Sequence, residues 1–160
     1  MKKIFFYDYK ICNLKNILRL GIAEEDGAIS RVCFNPPKKS ECYEEQETPL
    51  IKKTSRQLEE YFNRKRKKFD VPLKYKGTEF QMNVWKALGK IPYGERRSYG
   101  FLAGLAGNPK ASRAAGMANN RNPIVIIIPC HRIIGYDGRL TGYAGGLELK
   151  QCLLDLESGN

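Results

Sequence analysis

Asn122-Pro123-Ile124-Val125-Ile126-Ile127-Ile128-Pro129-Cys130-His131-Arg132-Ile133-Ile134 sets the only histidine of a 160-residue chain directly after a cysteine. The apolar run Ile124 to Ile128 is short enough for a buried strand and too short to span a membrane. Such a strand would deliver Cys130 and His131 to a packed, poorly hydrated site. A thiol becomes a thiolate nucleophile only when a base takes its proton, and imidazole is the usual base near neutral pH. The bland alternative for Cys130 is a small buried hydrophobe.

Upstream of this stretch two short helices are expected, Ser98 to about Ala106 and Pro109 to about Ala118, separated by Gly107-Asn108. Asn108 as N-cap with Pro109 at the first helical position is a start signal. Two helices joined by so short a turn suggest helix-turn-helix, the second helix facing DNA. That second helix is lean, since Ala111, Ser112, Ala114, Ala115 and Gly116 have almost no side chain. It can approach a surface closely but cannot reach far to read base edges. Sequence-tolerant DNA binding, flanked by Lys110 and Arg113, is one reading; close packing on another helix is the other. The residues alone leave both open.

Thr78-x-x-Gln81 predicts a capping box for an earlier helix presenting Phe80, Val84, Trp85 and Leu88 inward, with Pro92 and Gly94 at its end. Val71-Pro72-Leu73 and the polar Lys74 to Gly77 look like a join, dividing the chain into residues 1–73 and 74–160. In the first part Leu18 to Ala23 and Ile29 to Phe34 flank Glu25-Asp26-Gly27 as a hairpin. Phe34 to Lys53 reads as an exposed loop, after which Thr54 or Ser55 caps a helix with Leu58, Tyr61 and Phe62 on one face. The basic run Arg64 to Lys68 reads as its solvated end, complementing the helix dipole, in preference to a specific DNA contact.

Lys and Arg total 28 against 17 for Asp and Glu, a formal charge of +11. That balance points to a polyanion such as nucleic acid, or more weakly to an anionic membrane surface. From Arg96 to Tyr136 the chain carries Arg96, Arg97, Lys110, Arg113, Arg121 and Arg132 and no acidic residue. A catalytic site that approaches phosphates would have this distribution. Met1 to Tyr7 briefly imitates a signal peptide, but Asp8 and Lys10 cut the apolar stretch short. An intracellular, cytoplasmic location is therefore expected, nuclear in a eukaryote, and five unpaired cysteines suit a reducing compartment. No CxxC occurs, so no metal is expected, and Cys12, Cys33 and Cys42 read as small buried hydrophobes.

The stretch from Asn122 to Ile134 resembles the O6-alkylguanine-DNA alkyltransferases, which move an alkyl group from guanine in DNA onto their own cysteine. Gly77-Thr78-Glu79-Phe80-Gln81, Val84-Trp85, Ile91-Pro92-Tyr93-Gly94, Ser98-Tyr99 and Gly107-Asn108-Pro109-Lys110-Ala111 resemble the family at matching spacing. So do Leu140-Thr141-Gly142-Tyr143-Ala144-Gly145-Gly146-Leu147 and Glu157. The likeness is strong from Gly77 onward and loose before it. It implies an α/β (α+β) fold: an N-terminal strand-rich domain of ribonuclease-H-like topology, then a winged-helix-like helix-turn-helix alkyltransferase domain.

The resemblance further implies base flipping into a pocket, because an O6 lesion lies inside the stacked duplex. Arg113 matches the finger that fills the gap, and Ala111, Ser112, Ala114 and Gly116 belong to the helix used in the minor groove. Tyr99 matches the tyrosine that helps turn the nucleotide and donates to the purine. Cys130 is the implied nucleophile, His131 takes its proton through a water, and Glu157 orients the imidazole. Asn122 matches the residue that braces the helix-turn-helix and fixes the turn around Cys130, while Arg132 is expected to brace and not to react. Ile133 is implied to offer backbone groups to the base, and Tyr143, Ala144 and Gly145 to line the pocket. The implied activity is single-turnover repair of O6-alkylguanine, extending to O4-alkylthymine, with no cofactor. The implied partner is double-stranded DNA carrying the lesion, bound with little sequence specificity and without membrane, by a monomer with cooperativity on DNA left open. The competing reading is a lesion-binding protein of the alkyltransferase-like type, whose members lack the reactive cysteine that Cys130 supplies. A cysteine hydrolase is a third reading, disfavoured because hydrolases usually bring histidine from elsewhere in the chain.

Overall fold

At Glu25-Asp26-Gly27 the expected hairpin forms, with β2 (Leu18–Glu25) and β3 (Ala28–Cys33) antiparallel. Asp26 (φ 51°) and Gly27 (φ 78°) both take left-handed backbone. Two such residues in succession match the strand twist, and Asp-Gly tolerates them at least cost. The computed structural model describes residues 2–11, 14–38 and 41–159. It divides into two compact units, Met1–Tyr75 and Lys76–Asn160.

In the first unit the segment that imitates a leader is a strand, β1 (Lys2–Tyr9). It pairs antiparallel with β2 and parallel with β4 (Tyr43–Glu45), giving the sheet order β3-β2-β1-β4. Leu18, Leu20 and Ile22 alternate along β2 and are buried, together with Ile51, Leu58, Tyr61 and Phe62 of α1 (Pro49–Phe62). Gly21 points the other way, where the Phe6 ring would come within 2.8 Å of an added Cβ.

Four expectations for this unit are corrected. The loop reading of Phe34 to Lys53 is interrupted by β4 and by the first turn of α1. The helix cap is Thr48 and not Thr54 or Ser55: the Thr48 hydroxyl accepts the Ile51 N–H at 3.1 Å, and Pro49 occupies the first turn, where its missing N–H costs nothing. Thr54 instead donates to the Leu50 carbonyl at 2.8 Å, and the Ser55 hydroxyl pairs with Tyr9 at 2.7 Å. The basic run follows the helix without extending it, because Asn63 caps the C-terminus and Arg64 turns to φ 59°. Arg66 then folds back on Glu60 at 2.8 Å and on the Lys68 carbonyl at 2.8 Å. Cys33 is half-buried and Cys42 exposed, so neither is the buried hydrophobe expected; Cys12 lies outside the described residues.

In the second unit α2 (Glu79–Leu88) carries the full capping box. The Thr78 hydroxyl accepts from Gln81 N–H at 3.2 Å and Gln81 Oε1 from Thr78 N–H at 2.9 Å. Val84, Trp85 and Leu88 are buried, whereas Phe80 sits half-buried at the edge, and Gly89 ends the helix before Pro92. β5 (Arg97–Ser98) leads into α3 (Tyr99–Leu105), and Ser98 caps that helix by accepting from Phe101 N–H at 3.1 Å. After α4 (Ser112–Asn120) come a 3-10 turn (Cys130–Arg132), β6 (Ile133–Ile134) parallel to β5, and α5 (Leu147–Ser158).

Here two expectations change. Asn108 does not cap α4, because its side chain accepts from Lys110 N–H at 3.3 Å and its carbonyl from Ala111 N–H at 3.0 Å. Asn-Pro thereby builds a turn, and the helix starts at Ser112 behind Ala111. Ile124 to Ile128 is not a strand. Ile128 N–H returns to the Ile124 carbonyl at 3.0 Å and Ile127 N–H to Val125 at 2.8 Å, with Ile126 at φ 72°. Ile124, Val125, Ile126 and Ile128 are buried as expected. An unbroken apolar run reports burial and leaves the backbone path open.

The reassigned cap predicts that Thr48→Ala lowers the unfolding free energy by about 1 kcal/mol in urea titrations, with Thr48→Ser recovering most of it. An unchanged midpoint for Thr48→Ala would remove Thr48 as the cap.

Candidate active site

Cys130 sits at the start of a turn that Asn122 and Asn119 hold in place. Asn122 Nδ2 donates to the Ile128 carbonyl at 2.7 Å, and its Oδ1 accepts from Ile124 N–H at 3.0 Å. One side chain therefore clamps both ends of the Ile124 to Ile128 turn. A β-branched residue at positive φ costs about 1–3 kcal/mol, and this clamp holds Ile126 there. Asn119, buried on α4, donates to the Cys130 carbonyl at 3.3 Å. The Trp85 indole N–H donates to the Ala118 carbonyl at 2.9 Å, fastening α4 to α2. Through these contacts α4 is hydrogen-bonded both to α2 and to the turn that carries Cys130.

His131 is fully buried, and its Nε2 lies 2.8 Å from Glu157 Oε1. Arg132 grips the same carboxylate as a fork, Nε to Oε2 at 2.9 Å and a terminal nitrogen to Oε1 at 2.9 Å. The other terminal nitrogen donates to the Ile91 carbonyl at 2.7 Å, and the guanidinium lies over the Tyr93 ring. Gly94 N–H adds a donor to Oε2 at 3.3 Å. Leu149, Lys150, Leu153, Leu154 and Glu157 share the buried face of α5, so the helical repeat carries Glu157 inward.

The electrostatics follow from this packing. Burial pushes the Glu157 carboxyl up, but hydrogen bonds from His131 and Arg132 and their charges outweigh it, leaving the group well below the ordinary carboxylate range. Burial pulls the His131 imidazole below its usual value, against the opposing pull of Glu157. With Arg132 balancing Glu157, the imidazole rests neutral and able to accept a proton. Burial pushes the Cys130 thiol up, countered in part by the Asn122 side chain and the charge of Lys150. Burial also lowers Lys150, which Cys130 opposes.

The other expected site residues lie on β6, on α3, on or just before α4, and before α5. Ile133 is buried in β6, immediately after the turn. Tyr143 presents a buried hydroxyl whose pKa is raised well above normal by burial and by the charges of Cys130 and Glu157. Ala144 is exposed and Gly145 half-buried. Tyr99, first residue of α3, sets its hydroxyl 2.6 Å from the Thr141 hydroxyl. On α4 the close-packing reading holds for one face. Ala115 and Ala118 pack inward, while Arg113 and Ala114 are exposed, as is Lys110 before the helix; Ala111 and Ser112 are half-buried. Gly116 lies against the Tyr99 ring, where a Cβ would approach to 3.3 Å.

Four contributors escaped the sequence reading: Lys150, Asn119, Thr141 and the Gly94 N–H. Lys150 had a signal, since it precedes Glu157 by seven residues and so shares its face of α5. The other three are joined to the site only by folding. Among the described residues no cluster of His, Cys, Asp and Glu could hold a metal, and no helix is long and apolar enough to cross a membrane.

Comparison with known proteins places these features in one family. Residues 79–159 match the DNA binding domain of 6-O-methylguanine DNA methyltransferase, and residues 11–75 its ribonuclease-like domain. Methylated-DNA--protein-cysteine methyltransferase of Methanosarcina acetivorans is 62% identical over 108 residues, 68% of this chain and 69% of that protein. The constitutive enzyme of that name from Bacillus subtilis is 47% identical over 143 residues, 85% of this chain and 87% of that protein. The crystal structure of Mycobacterium tuberculosis OGT in complex with DNA superposes with a TM-score of 0.87 at 40% identity, covering 98% of this chain and 93% of that one. The chain therefore belongs to the 6-O-methylguanine DNA methyltransferase family.

Proposed function

We propose that this protein repairs DNA by transferring the alkyl group of O6-alkylguanine irreversibly to Cys130. The observation that carries the reading is the buried Cys130-His131-Glu157 arrangement, in which a carboxylate from the far end of the chain meets His131 Nε2 at 2.8 Å. Glu157 holds that nitrogen, so proton exchange with Cys130 uses Nδ1, through a bridging water. The thiol proton passes to the imidazole, Sγ attacks the alkyl carbon in line, and the O6–carbon bond breaks as the thioether forms. Guanine leaves with its developing charge met by a hydrogen bond from Tyr99 and by backbone donors of the Tyr143 to Gly145 segment. A thioether is not reversed by cellular thiols, so each molecule acts once. The same attack on O4-alkylthymine is a second activity of the site, and no step needs a cofactor.

The exposed, acid-poor face of α4 supplies the DNA contact. Arg113 enters the stack in place of the flipped nucleotide, and Lys110 meets phosphate. Ala111, Ser112, Ala114 and Gly116 keep the helix thin enough for the minor groove, so binding is largely independent of sequence. The protein acts as a monomer on lesion-bearing duplex inside the cell.

Intact-protein mass spectrometry after incubation with an O6-methylguanine oligonucleotide should show one added methylene, mapped to Cys130 and absent from Cys130→Ala. Retained binding without that mass gain would instead identify a lesion-recognition protein. Arg113→Ala should slow repair of the duplex by about tenfold or more while sparing transfer from free O6-benzylguanine, since only duplex requires unstacking. Equal losses would make Arg113 structural.

Acid should weaken the cluster. The folded carboxyl of Glu157 lies below its unfolded value, so its contribution is complete above about pH 4.3 and is lost as pH falls through the folded value. His131 is likewise depressed, and its contribution is lost as pH falls below about 6.5. Thermal melts should show Tm declining from about pH 6.5 downward. Glu157→Gln should slow benzyl transfer by about tenfold or more and flatten the acid limb of the melting curve. An unaltered rate would remove Glu157 from the relay.

A further inference from the structure

The hydroxyls of Tyr99 and Thr141 meet at 2.6 Å, in the short part of the O–H···O range. Each can donate one hydrogen and accept others. A phenol that donates to a purine has spent its only proton, so it can then meet Thr141 solely as acceptor. With a base in the pocket, Thr141 must be the donor.

Both partners are held from behind. The Thr141 carbonyl accepts from Lys150 Nζ at 2.9 Å, and Lys150 is fully buried on α5. No carboxylate lies within ion-pair distance of that ammonium among the described residues, so the loop carbonyl carries the hydrogen bond that a buried lysine requires. On the other side the Tyr99 ring rests against Gly116 of α4, with no room for a larger residue unless the ring moves. The ring is thus fixed at its face by a glycine and at its hydroxyl by a threonine that is itself anchored.

We propose that Thr141 is a positioning residue that acts through Tyr99, donating to the phenol oxygen so that the tyrosine proton is turned toward the departing guanine. A hydroxyl that accepts a hydrogen bond is a better donor in turn, so the pair strengthens as charge develops on the base. This inference rests on the role given to Tyr99 above. Thr141→Val keeps the shape and the backbone carbonyl used by Lys150 while removing the hydroxyl.

The test measures single-turnover benzyl transfer from free O6-benzylguanine and repair of duplex O6-methylguanine for Thr141→Val, Thr141→Ser, Tyr99→Phe and Thr141→Val/Tyr99→Phe, with thermal melts confirming folding. Thr141→Val should lose about tenfold in both reactions, Thr141→Ser should recover to within about twofold, and the double variant should be no slower than Tyr99→Phe. A full rate for Thr141→Val beside an impaired Tyr99→Phe overturns the proposal and leaves the tyrosine reading intact. So does a serine variant as slow as valine, or losses that multiply in the double variant. A full rate for Tyr99→Phe overturns the tyrosine reading itself, and this proposal with it.

Discussion

A single buried carboxylate organises the second unit. Glu157 approaches the end of α5 on its apolar face, where an unpaired charge would be untenable. It persists because Arg132, His131 and Gly94 all donate to it. Those donors come from the turn that carries Cys130 and from the segment after α2, so satisfying one charge fixes three parts of the chain against each other. Removing a partner from such a group costs more than the pair contributes in place. The cluster is therefore more a constraint on geometry than a reserve of stability.

Its charge balance also sets the chemistry. A lone carboxylate beside a buried imidazole would favour imidazolium, which cannot take a proton from a thiol. The Arg132 fork offsets Glu157, and burial does the rest, so His131 rests neutral. Cys130 is kept as a thiol by the same burial, with Lys150 and Asn122 pulling the other way. A cysteine so placed is poorly reactive toward oxidants that need an exposed thiolate. In the proposed reaction the thiol is called on only when an alkylated base arrives beside it, which suits a protein that reacts once.

Small residues on α4 serve two surfaces at once. Ala115 and Ala118 let the helix seat closely enough for Trp85 and Asn119 to reach the Ala118 and Cys130 carbonyls. Ala114 leaves the opposite side thin, with Arg113 projecting from it. Gly116 gives the Tyr99 ring its seat. Internal packing accounts for the small residues on one face of the helix, and the opposite, exposed face with Arg113 is the one proposed to meet DNA.

Several elements were legible from residues alone because their determinants are local. The Asp26-Gly27 turn needs left-handed backbone, the Thr78–Gln81 capping box satisfies its own N–H groups, and the helix expected from Ser98 forms as α3 one residue later. Cys130 and His131 declared themselves by adjacency, and the ordered motifs around them carried the family. What sequence could not supply was shape where burial permits more than one path. Ile124 to Ile128 is as apolar as a strand, yet Asn122 clamps it into a turn; Thr54 has the right chemistry for a cap, yet Thr48 and Pro49 stand earlier. Asn108-Pro109 likewise spends its side chain on a turn before α4 begins. The site was divided in the same way. Cys130 and His131 are neighbours in sequence, whereas Glu157, Lys150, Thr141 and Asn119 reach their surroundings by packing at separations that no local rule encodes. Side-chain chemistry is carried by the chain, but distance and dielectric are properties of the folded state, and in this site those two decide which groups hold charge.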